Sequence, residues 1–293
     1  MAGRLEGKVT AITGAGRGQG RGHAIKHASE GAKIIAIDIC EDIESNPYPM
    51  SSWDDLQETK RLVEEAGSEC VTYKADVRVR EQLREAVDAG AAHFGRLTTL
   101  CANAGILPMA MGDPNPLDFQ DAVDVDLIGV MNAVAVSIPH LVKAGHEGSI
   151  IITGSTAGLM EGTVGNDPTG MMGPGGNGYG WAKRQIVTYT EQIALAVAPY
   201  GVRCNAFHPT NVNTHLLQNE PMYKLFRPDL ENPTAEDFIP ASTYFQALPI
   251  PWLEPADVAD LSCFLASDES KYITGINIRI DAGSMIKFPN GPA

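Results

Sequence analysis

Short apolar runs alternate with longer amphipathic stretches through most of the chain. Several short runs are almost wholly apolar and rich in Val and Ile, which is typical of strands buried on both faces of a parallel sheet. The longer stretches repeat their apolar residues with the period of an α-helix. From this pattern we predict strands at residues 9–13, 33–38, 69–74, 98–102, 149–153, 202–208 and 277–280, and helices near 18–30, 53–66, 79–94, 117–144, 179–198 and 255–266.

The regular alternation of the two element types predicts βαβ units. Such units assemble into an α/β fold, here a Rossmann-type, doubly wound parallel sheet of about seven strands with helices on both faces. The 293 residues show no linker, composition break or internal repeat. We therefore expect one domain over residues 1–293.

Three segments interrupt the alternation. Residues 41–52 form a polar, Pro-containing insert after the second strand, and residues 159–178 form a long, Gly-rich loop. Residues 215–251 carry Pro, Met and aromatic residues without clear periodicity. Long irregular connections inside a compact domain are usually lids or binding loops, with a flexible surface excursion as the alternative. We expect residues 215–251 to form a lid over a substrate.

The net charge and the cysteines indicate which kinds of partner and of metal site we do not expect. The net charge is −14, and a surface this negative repels nucleic-acid phosphates and anionic lipid headgroups. The five cysteines are scattered without metal-ligand or redox spacing, which predicts reduced thiols and no metal site. We find neither a signal peptide nor an apolar run of about 18 residues, so we expect a soluble, cytoplasmic protein that binds neither nucleic acid nor membrane.

A glycine-rich turn, TGAGRGQG at residues 13–20, follows the first predicted strand and opens the first predicted helix. Glycines at such a turn let the backbone approach a pyrophosphate, whose charge is attracted by free N–H groups and the helix dipole. A tight turn without a ligand is the alternative, but the position between strand and helix favours dinucleotide binding. The candidate residues are Gly14, Arg17, Gly18, Gln19 and Gly20.

Asp38 ends the second predicted strand. A carboxylate there can accept hydrogen bonds from the adenosine ribose and would repel a 2′-phosphate, which favours NAD over NADP. Arg17 opposes this prediction, because its guanidinium could pair with that phosphate; an NADP-linked ketone reductase is therefore the alternative. Further cofactor candidates lie at the carboxyl ends of the second, third and fourth strands: Ile39, Asp76, Val77, Asn103, Ala104 and Gly105.

Tyr179 and Lys183 are four residues apart and share one face of a predicted helix. An ammonium close to a phenol favours the phenolate, so we expect the pKa of Tyr179 to be lowered. Such a phenol can exchange a proton with a substrate oxygen while hydride moves to or from a nicotinamide. Ser155, just after the fifth predicted strand, is placed to hydrogen-bond the same oxygen.

Together these motifs resemble the short-chain dehydrogenase/reductase family over nearly the whole chain. The family pattern Thr-Gly-x-x-x-Gly-x-Gly is met by residues 13–20, and Asn-Ala-Gly by residues 103–105. The family's Ser…Tyr-x-x-x-Lys site is met by Ser155, Tyr179 and Lys183, which implies that Tyr179 is the general acid/base and that Lys183 tunes it. The sequence PTNVNT resembles Pro-Gly-x-Val-x-Thr, which implies that the nicotinamide end of the cofactor contacts Pro209, Val212 and Thr214 as well as Tyr179 and Lys183.

The chain departs from this family pattern in two places. Ser155 and Tyr179 are 24 residues apart, about twice the usual family spacing, so the Gly-rich loop is an insertion. Asp126 occupies the place of an Asn that, in the family, bends its helix and anchors a water linking the catalytic lysine to solvent. A carboxylate there adds negative charge near Lys183. We interpret Asp126 as part of a modified proton relay; a catalytically weak NAD-binding sensor is the alternative.

A narrower resemblance is to the carveol-dehydrogenase-like, mycofactocin-associated members of the family. It rests on residues 39–43 and 47–50, at and within the insert, on residues 208–214 and on residues 281–283. The resemblance implies secondary alcohols, terpenoids among them, as substrates. It also implies a tightly held NAD that is re-oxidised by a mycofactocin-type redox carrier. Family members usually form homotetramers through the helices before and after Ser155, and we expect the same here.

Overall fold

The computed structural model describes residues 3–109, 115–160 and 172–289. Seven strands pair in parallel in one sheet of order β3-β2-β1-β4-β5-β6-β7. The predicted fold class is therefore confirmed, and the strand ends differ from the prediction by at most one residue. The division of the chain into domains stays a prediction. The strands are β1 (Val9–Thr13), β2 (Lys33–Asp38), β3 (Cys70–Lys74), β4 (Thr99–Ala102), β5 (Ser149–Thr153), β6 (Arg203–Pro209) and β7 (Asn277–Ile280).

Helices cover both faces of the sheet and enclose two apolar cores. The helices are α1 (Gly18–Ser29), α2 (Trp53–Glu65), α3 (Arg80–Phe94), α4 (Leu117–Val123), α5 (Val130–Ala144), α6 (Gly173–Val197), α7 (Glu220–Phe226), α8 (Ala235–Phe245), α9 (Pro255–Ala266) and α10 (Ser284–Lys287). In one core α3, α5 and α6 pack against the sheet, and in the other α1, α2 and α9 pack against the opposite face.

The strand order reverses at the centre of the sheet. From β1 the chain proceeds outward through β2 and β3, then returns to β4 on the other side of β1 and proceeds outward to β7. The crossovers on either side of β1 and β4 therefore diverge and leave a crevice at the carboxyl ends of these strands. Open α/β sheets bind their ligands in such a crevice.

Helix α6 begins earlier than we predicted. The expected loop over residues 159–178 ends before Gly173, and Gly173–Gly178 is already helical; residues 161–171 lie outside the described residues. Glycine is unfavourable within helices, so the sequence favoured a loop. Tertiary packing explains the difference, because a Cβ atom on Gly178 would lie 2.6 Å from the carbonyl oxygen of Phe119. Glycine at this position lets α6 pack closely against α4.

Two helices, α7 and α8, lie within the segment 215–251 that we predicted as irregular. Both begin with local capping signals: the Asn219 side chain accepts from Met222 N, and Thr234 and Asp237 form a capping box. Both helices are short and α8 contains Pro240, which obscured their periodicity. The terminal helix α10 was also not predicted.

The predicted helix 117–144 is divided by a π-helical turn at Asp124–Gly129. The whole segment Leu117–Glu147 has a mean hydropathy of 1.7 in its most apolar 18-residue window, which matches a membrane-spanning helix by length and composition. Polar residues such as Asn132 and Ser137 interrupt this segment, so it contains no uninterrupted apolar run of about 18 residues. Within that window, 61% is buried inside the protein, as expected for a core helix packed against the sheet.

A buried polar network joins α1 to α9. Ser262 Oγ lies 2.9 Å from His23 Nδ1 and 3.0 Å from His27 Nε2, and His27 Nδ1 lies 3.2 Å from Thr10 Oγ1. Both imidazoles are fully buried. Burial penalises the charged imidazolium and lowers the pKa of His23 to about 4 and that of His27 to about 3. Both histidines are therefore neutral in the folded protein at neutral pH.

Lowering the pH from 7 to 5 should cost about 2 kcal/mol of unfolding free energy for each of these histidines. Below about pH 6.5 the unfolded chain binds protons that the folded protein excludes until its own pKa values are reached. His27→Gln should therefore lose about half of this pH dependence, whereas His93→Gln on the surface should keep it. Urea unfolding at both pH values measures the difference. Equal pH dependence in His27→Gln and wild type would contradict the assignment.

Candidate active site

One cavity opens at the carboxyl edge of the sheet and is lined by residues from both halves of the chain. It brings together every predicted site residue except Gly20. A Cβ atom on Gly20 would lie 2.0 Å from the carbonyl oxygen of Gly14, so this glycine packs beneath the turn. The predicted residues that line the cavity are Gly14, Arg17, Gly18, Gln19, Asp38, Ile39, Asp76, Val77, Asn103, Ala104, Gly105, Asp126, Ser155, Tyr179, Lys183, Pro209, Val212 and Thr214.

The glycine-rich turn forms a cradle at the N-terminus of α1. Gly14 and Gly18 have positive φ angles of 68° and 55°, and a Cβ atom on Gly14 would lie 2.8 Å from Ala104 Cα. No side chain caps the helix, and its first turn contains no acidic residue. By contrast, a capping box closes the N-terminus of α2. The free N–H groups and the positive end of the α1 dipole therefore fit a pyrophosphate.

Asp38 is held rigidly beside this turn. Its Oδ2 accepts from Gly16 N at 2.8 Å, and its Oδ1 accepts from Ser51 Oγ at 2.5 Å and from Cys40 N at 3.2 Å. The side chain is buried but lines the cavity. Three donors fix the carboxylate, and Oδ2 keeps a lone pair for a ribose hydroxyl.

The insert at residues 41–52 contacts two walls of the cavity. Arg17 donates to the carbonyl oxygen of Pro49, and its guanidinium lies 6.0 Å from the centre of the Tyr48 ring. Tyr48 Oη accepts from Leu107 N at 3.3 Å, on the loop after β4. The insert thus connects the glycine-rich turn to that loop and engages the guanidinium of Arg17.

Ser155, Tyr179 and Lys183 lie together despite the long connection between β5 and α6. Ser155 and Tyr179 line the same part of the cavity, and the Ser155 side chain is close enough to influence the pKa of the Tyr179 phenol. Lys183 Nζ lies 5.5 Å from the centre of the Tyr179 ring and donates to the carbonyl oxygen of Thr153 at 3.1 Å. A hydroxyl, a phenol and an ammonium therefore form one cluster at the end of β5.

Asp126 completes this cluster from the π-helical turn between α4 and α5. Its Oδ1 lies 3.0 Å from Lys183 Nζ, and its Oδ2 accepts from Ile106 N at 3.3 Å. A Cβ atom on Gly105 would lie 2.6 Å from Asp126 Oδ1, so glycine is required there for the loop to pass the ion pair. Both charged side chains are buried, with 0% and 3% exposure. The ion pair is therefore shielded from solvent.

An apolar pocket adjoins the phenol of Tyr179. Helices α7 and α8 form its outer wall, in the segment that we predicted as a lid. Phe226 packs edge-on against Phe238 with 4.9 Å between ring centres, and Trp252 stacks on Phe238. The apolar cluster consists of Leu107, Met109, Leu217, Met222 and Phe238, with Tyr179, Leu216, Tyr223, Leu225, Phe226 and Trp252 packed against it.

Comparison with known proteins identifies the family. A family model described as enoyl-(acyl carrier protein) reductase matches residues 14–285. A putative short-chain type dehydrogenase/reductase from Mycolicibacterium smegmatis is 42% identical over 290 residues, which cover 98% of this chain and 100% of the relative. The chain belongs to the short-chain dehydrogenase/reductase (SDR) family. The resemblance inferred from its motifs is confirmed.

Two further relatives of this SDR are similar over their full length. A (-)-trans-carveol dehydrogenase from Rhodococcus erythropolis is 42% identical over 286 residues, 97% of this chain and 99% of the relative. The crystal structure of a carveol dehydrogenase from Mycobacterium avium, in complex with NAD, aligns with a TM-score of 0.88 at 41% identity. That alignment covers 97% of this chain and 99% of the other.

The protonation of the cluster differs from our expectation for Tyr179. Burial raises the pKa of its phenol, and the charge of Asp126 raises it further, whereas the Lys183 ammonium and the neighbouring Ser155 side chain lower it. The net direction is upward, so the predicted lowering was wrong. Burial alone would lower the pKa of Lys183, but Asp126 and Tyr179 outweigh it and raise this pKa. Burial raises the pKa of Asp126 to about 6, against the opposing effect of Lys183.

In this SDR the acid/base groups and the apolar pocket therefore both adjoin Tyr179. At neutral pH Asp126 is mostly a carboxylate and Lys183 an ammonium, so the pair holds opposite charges next to a neutral phenol. Within the described ranges, no group of three or more His, Cys, Asp or Glu side chains is arranged to hold a metal ion. The arrangement is equipped to move a proton at a substrate oxygen.

Several residues of the site were missed by the sequence reasoning. Tyr48 and Ser51 belong to the insert, which drew attention as a segment but not for any one residue. Thr153 contacts Lys183 through its backbone carbonyl, which no side-chain pattern reveals. Leu107 and Met109 carry no signal that separates a pocket wall from an ordinary core.

Proposed function

We propose that this SDR oxidises a secondary alcohol to its ketone, or catalyses the reverse reaction, with NAD as cofactor. The proposal rests on one cavity that is lined both by residues suited to bind a dinucleotide and by residues suited to transfer a proton. An uncapped helix N-terminus beside Asp38 fits a dinucleotide, and the cluster of Ser155, Tyr179 and Lys183 fits proton transfer at an alcohol oxygen.

In the direction of oxidation, Ser155 Oγ holds the alcohol oxygen and the Tyr179 phenolate takes the hydroxyl proton. The electrons of the carbinol C–H bond leave as hydride, which NAD accepts when it is bound. Lys183 stabilises the phenolate, and Asp126 holds the ammonium in place. In the proposed modified relay, the carboxylate of Asp126 would hold the water through which the proton leaves. In the reverse direction Tyr179 returns the proton to the ketone oxygen.

The dinucleotide is held along the crevice by the residues that line it. First-turn N–H groups of α1 bind the pyrophosphate, and Asp38 binds the adenosine ribose and excludes a 2′-phosphate. Arg17 is engaged by Pro49 and Tyr48, which supports NAD over the NADP alternative. Further contacts come from Ile39, Asp76, Val77, Asn103, Ala104 and Gly105, and at the nicotinamide end from Pro209, Val212, Thr214, Tyr179 and Lys183.

The substrate is a compact, largely apolar secondary alcohol, and a cyclic terpenoid such as carveol fits this description. The apolar wall formed by α7 and α8 beside Tyr179 supports this choice, because an apolar wall favours an apolar substrate skeleton. The carveol dehydrogenases among the relatives support it as well.

The proposal extends to partners. The insert contacts both the glycine-rich turn and the loop after β4, which supports a tightly held NAD. The proposal that a mycofactocin-type carrier re-oxidises this NAD rests on the subgroup resemblance. We also propose that the protein is cytoplasmic and forms a homotetramer. Leu195, 78% exposed on α6, and Ile128, 38% exposed in the π-helical turn before α5, are apolar side chains that pairing of these segments between subunits would cover.

Asp38→Ala should weaken NAD binding and shift the cofactor preference towards NADP, because it removes a ribose acceptor and the negative charge that repels a 2′-phosphate. Asp54→Ala removes the same charge from an exposed position on α2 and should leave the preference unchanged. The measurement is kcat/KM for carveol oxidation with each cofactor, together with the mass and absorbance of any nucleotide that copurifies. Wild-type protein that prefers NADP, or that turns over no secondary alcohol, would overturn the proposal.

A further inference from the structure

His208 is a fully buried side chain that contacts the backbone of Ser155. It lies on β6, and its Nδ1 is 3.2 Å from Ser155 N and 3.1 Å from Ser155 O. The ring also packs on the neighbouring glycine, because a Cβ atom on Gly154 would lie 2.4 Å from His208 Nδ1. No motif of the proposed mechanism uses this imidazole, yet it supports the loop that carries the serine hydroxyl.

Asn277 decides which ring nitrogen carries the proton. Asn277 Nδ2 donates to Val187 O at 3.3 Å, so its Oδ1 faces His208 Nε2, 2.9 Å away. Nε2 must therefore carry the proton and donate it to Asn277 Oδ1. Nδ1 is left with a lone pair and accepts from Ser155 N–H. Burial lowers the pKa of His208, which favours this neutral form.

These contacts connect the two elements that carry the reacting groups. The path runs from Ser155 through His208 on β6 and Asn277 on β7 to Val187 on α6, one helical turn after Lys183. Along the chain, 24 residues separate Ser155 from Tyr179, so the covalent connection restricts their distance little. Hydrogen bonds across β6 and β7 add a restriction to that of the hydrogen bond between Lys183 and Thr153, and they act on Ser155 itself.

We propose that His208, relayed by Asn277, is a positioning residue that fixes Ser155 relative to Tyr179. This inference rests on the proposed alcohol oxidation for its kinetic consequence, but its geometric content is independent of the substrate. His208 touches neither substrate nor cofactor in this scheme; it acts through the backbone of Ser155.

Two amide substitutions test the contacts of the two imidazole nitrogens, Nδ1 and Nε2, one at a time. The Asn side chain in His208→Asn places its amide near the position of Nδ1, where its oxygen can accept from Ser155 N–H. The Gln side chain in His208→Gln reaches the position of Nε2 and keeps the contact with Asn277 but not with Ser155. We expect kcat for carveol oxidation to fall by roughly 10-fold to 100-fold in His208→Gln, the scale of a misplaced catalytic group, and much less in His208→Asn. NAD affinity should be unchanged in both.

A double-mutant cycle distinguishes positioning from general destabilisation. If His208 acts through Ser155, then His208→Gln should lower kcat in wild type but add little in a Ser155→Ala background. Additive losses would overturn the proposal, as would equal kcat in wild type and His208→Gln. Thermal unfolding and NAD binding establish that each variant is folded.

A crystal structure of His208→Gln tests the geometry without any assay. We expect the Ser155 side chain to move relative to the Tyr179 phenol when the contact between Ser155 N and residue 208 is lost, and an unchanged Ser155–Tyr179 distance would overturn the proposal. If wild type oxidises no secondary alcohol, the proposed function fails, whereas this structural outcome still decides the role of His208. Should His208→Gln not fold, His208→Leu and Asn277→Leu remove the same contacts, and each is tested by the same cycle and structure.

Discussion

Replacing Tyr179 with Phe is expected to lower kcat for alcohol oxidation by at least roughly 10²-fold, the scale of one positioned general acid/base. The substitution keeps the aromatic ring, which packs against the apolar cluster below α7 and α8. It removes only the phenol oxygen, which exchanges the proton in the proposed mechanism. The free energy of unfolding and NAD affinity should therefore change little.

Tyr189→Phe provides a matched control, because Tyr189 lies on the same helix, is also half-buried and is outside the cavity lining. It should retain wild-type kcat. Steady-state kinetics with carveol and NAD, alongside NAD titration, measures all three proteins. A folded Tyr179→Phe variant with near-normal kcat would remove the phenol from the mechanism.

Replacing Asp126 with Leu is expected to abolish most turnover and to lower stability. Asp126 is fully buried with its carboxylate 3.0 Å from Lys183 Nζ, so a Leu side chain leaves the ammonium without its counter-ion. Removing one partner of a buried ion pair typically costs about 3–5 kcal/mol of unfolding free energy, unless the remaining group loses its charge. Ile106 N–H also loses its acceptor. NAD binding should survive, because Asp126 lies at the proton-transfer end of the cavity.

Asp126→Asn removes the negative charge of the side chain but leaves its shape almost unchanged. It is nearly isosteric and keeps an acceptor for Ile106 N–H, so activity should be kept or raised. Since Asp126 raises the pKa values of both Tyr179 and Lys183, its neutralisation should lower both. Oxidation requires the deprotonated phenol, so the rising limb of kcat/KM should move to lower pH.

The measurement for Asp126 is kcat/KM against pH for wild type and both variants. An Asp126→Leu variant that matches wild type across the pH range would reduce Asp126 to an ordinary helix residue. An unshifted profile in Asp126→Asn would show that the carboxylate does not set the protonation of the phenol.

The sequence by itself determined the fold class and the place of the cofactor turn. Strands buried on both faces of a sheet leave continuous apolar runs, so β1, β2 and β5 were predicted with their observed bounds. The glycine-rich turn is equally local, because the positive φ angles of Gly14 and Gly18 are a property of those residues. The spacing of Tyr179 and Lys183 is also local, since residues four apart share a helix face.

Only the tertiary structure decided the electrostatics of the site. The spacing of Lys183 from Tyr179 predicted a lowered phenol pKa, but burial and the carboxylate of Asp126 raise it. The contact of Ser155 with His208 and the start of α6 at Gly173 likewise depend on elements far apart in the chain. Desolvation and Coulomb energies depend on distance and burial in three dimensions, and no window of sequence contains either quantity.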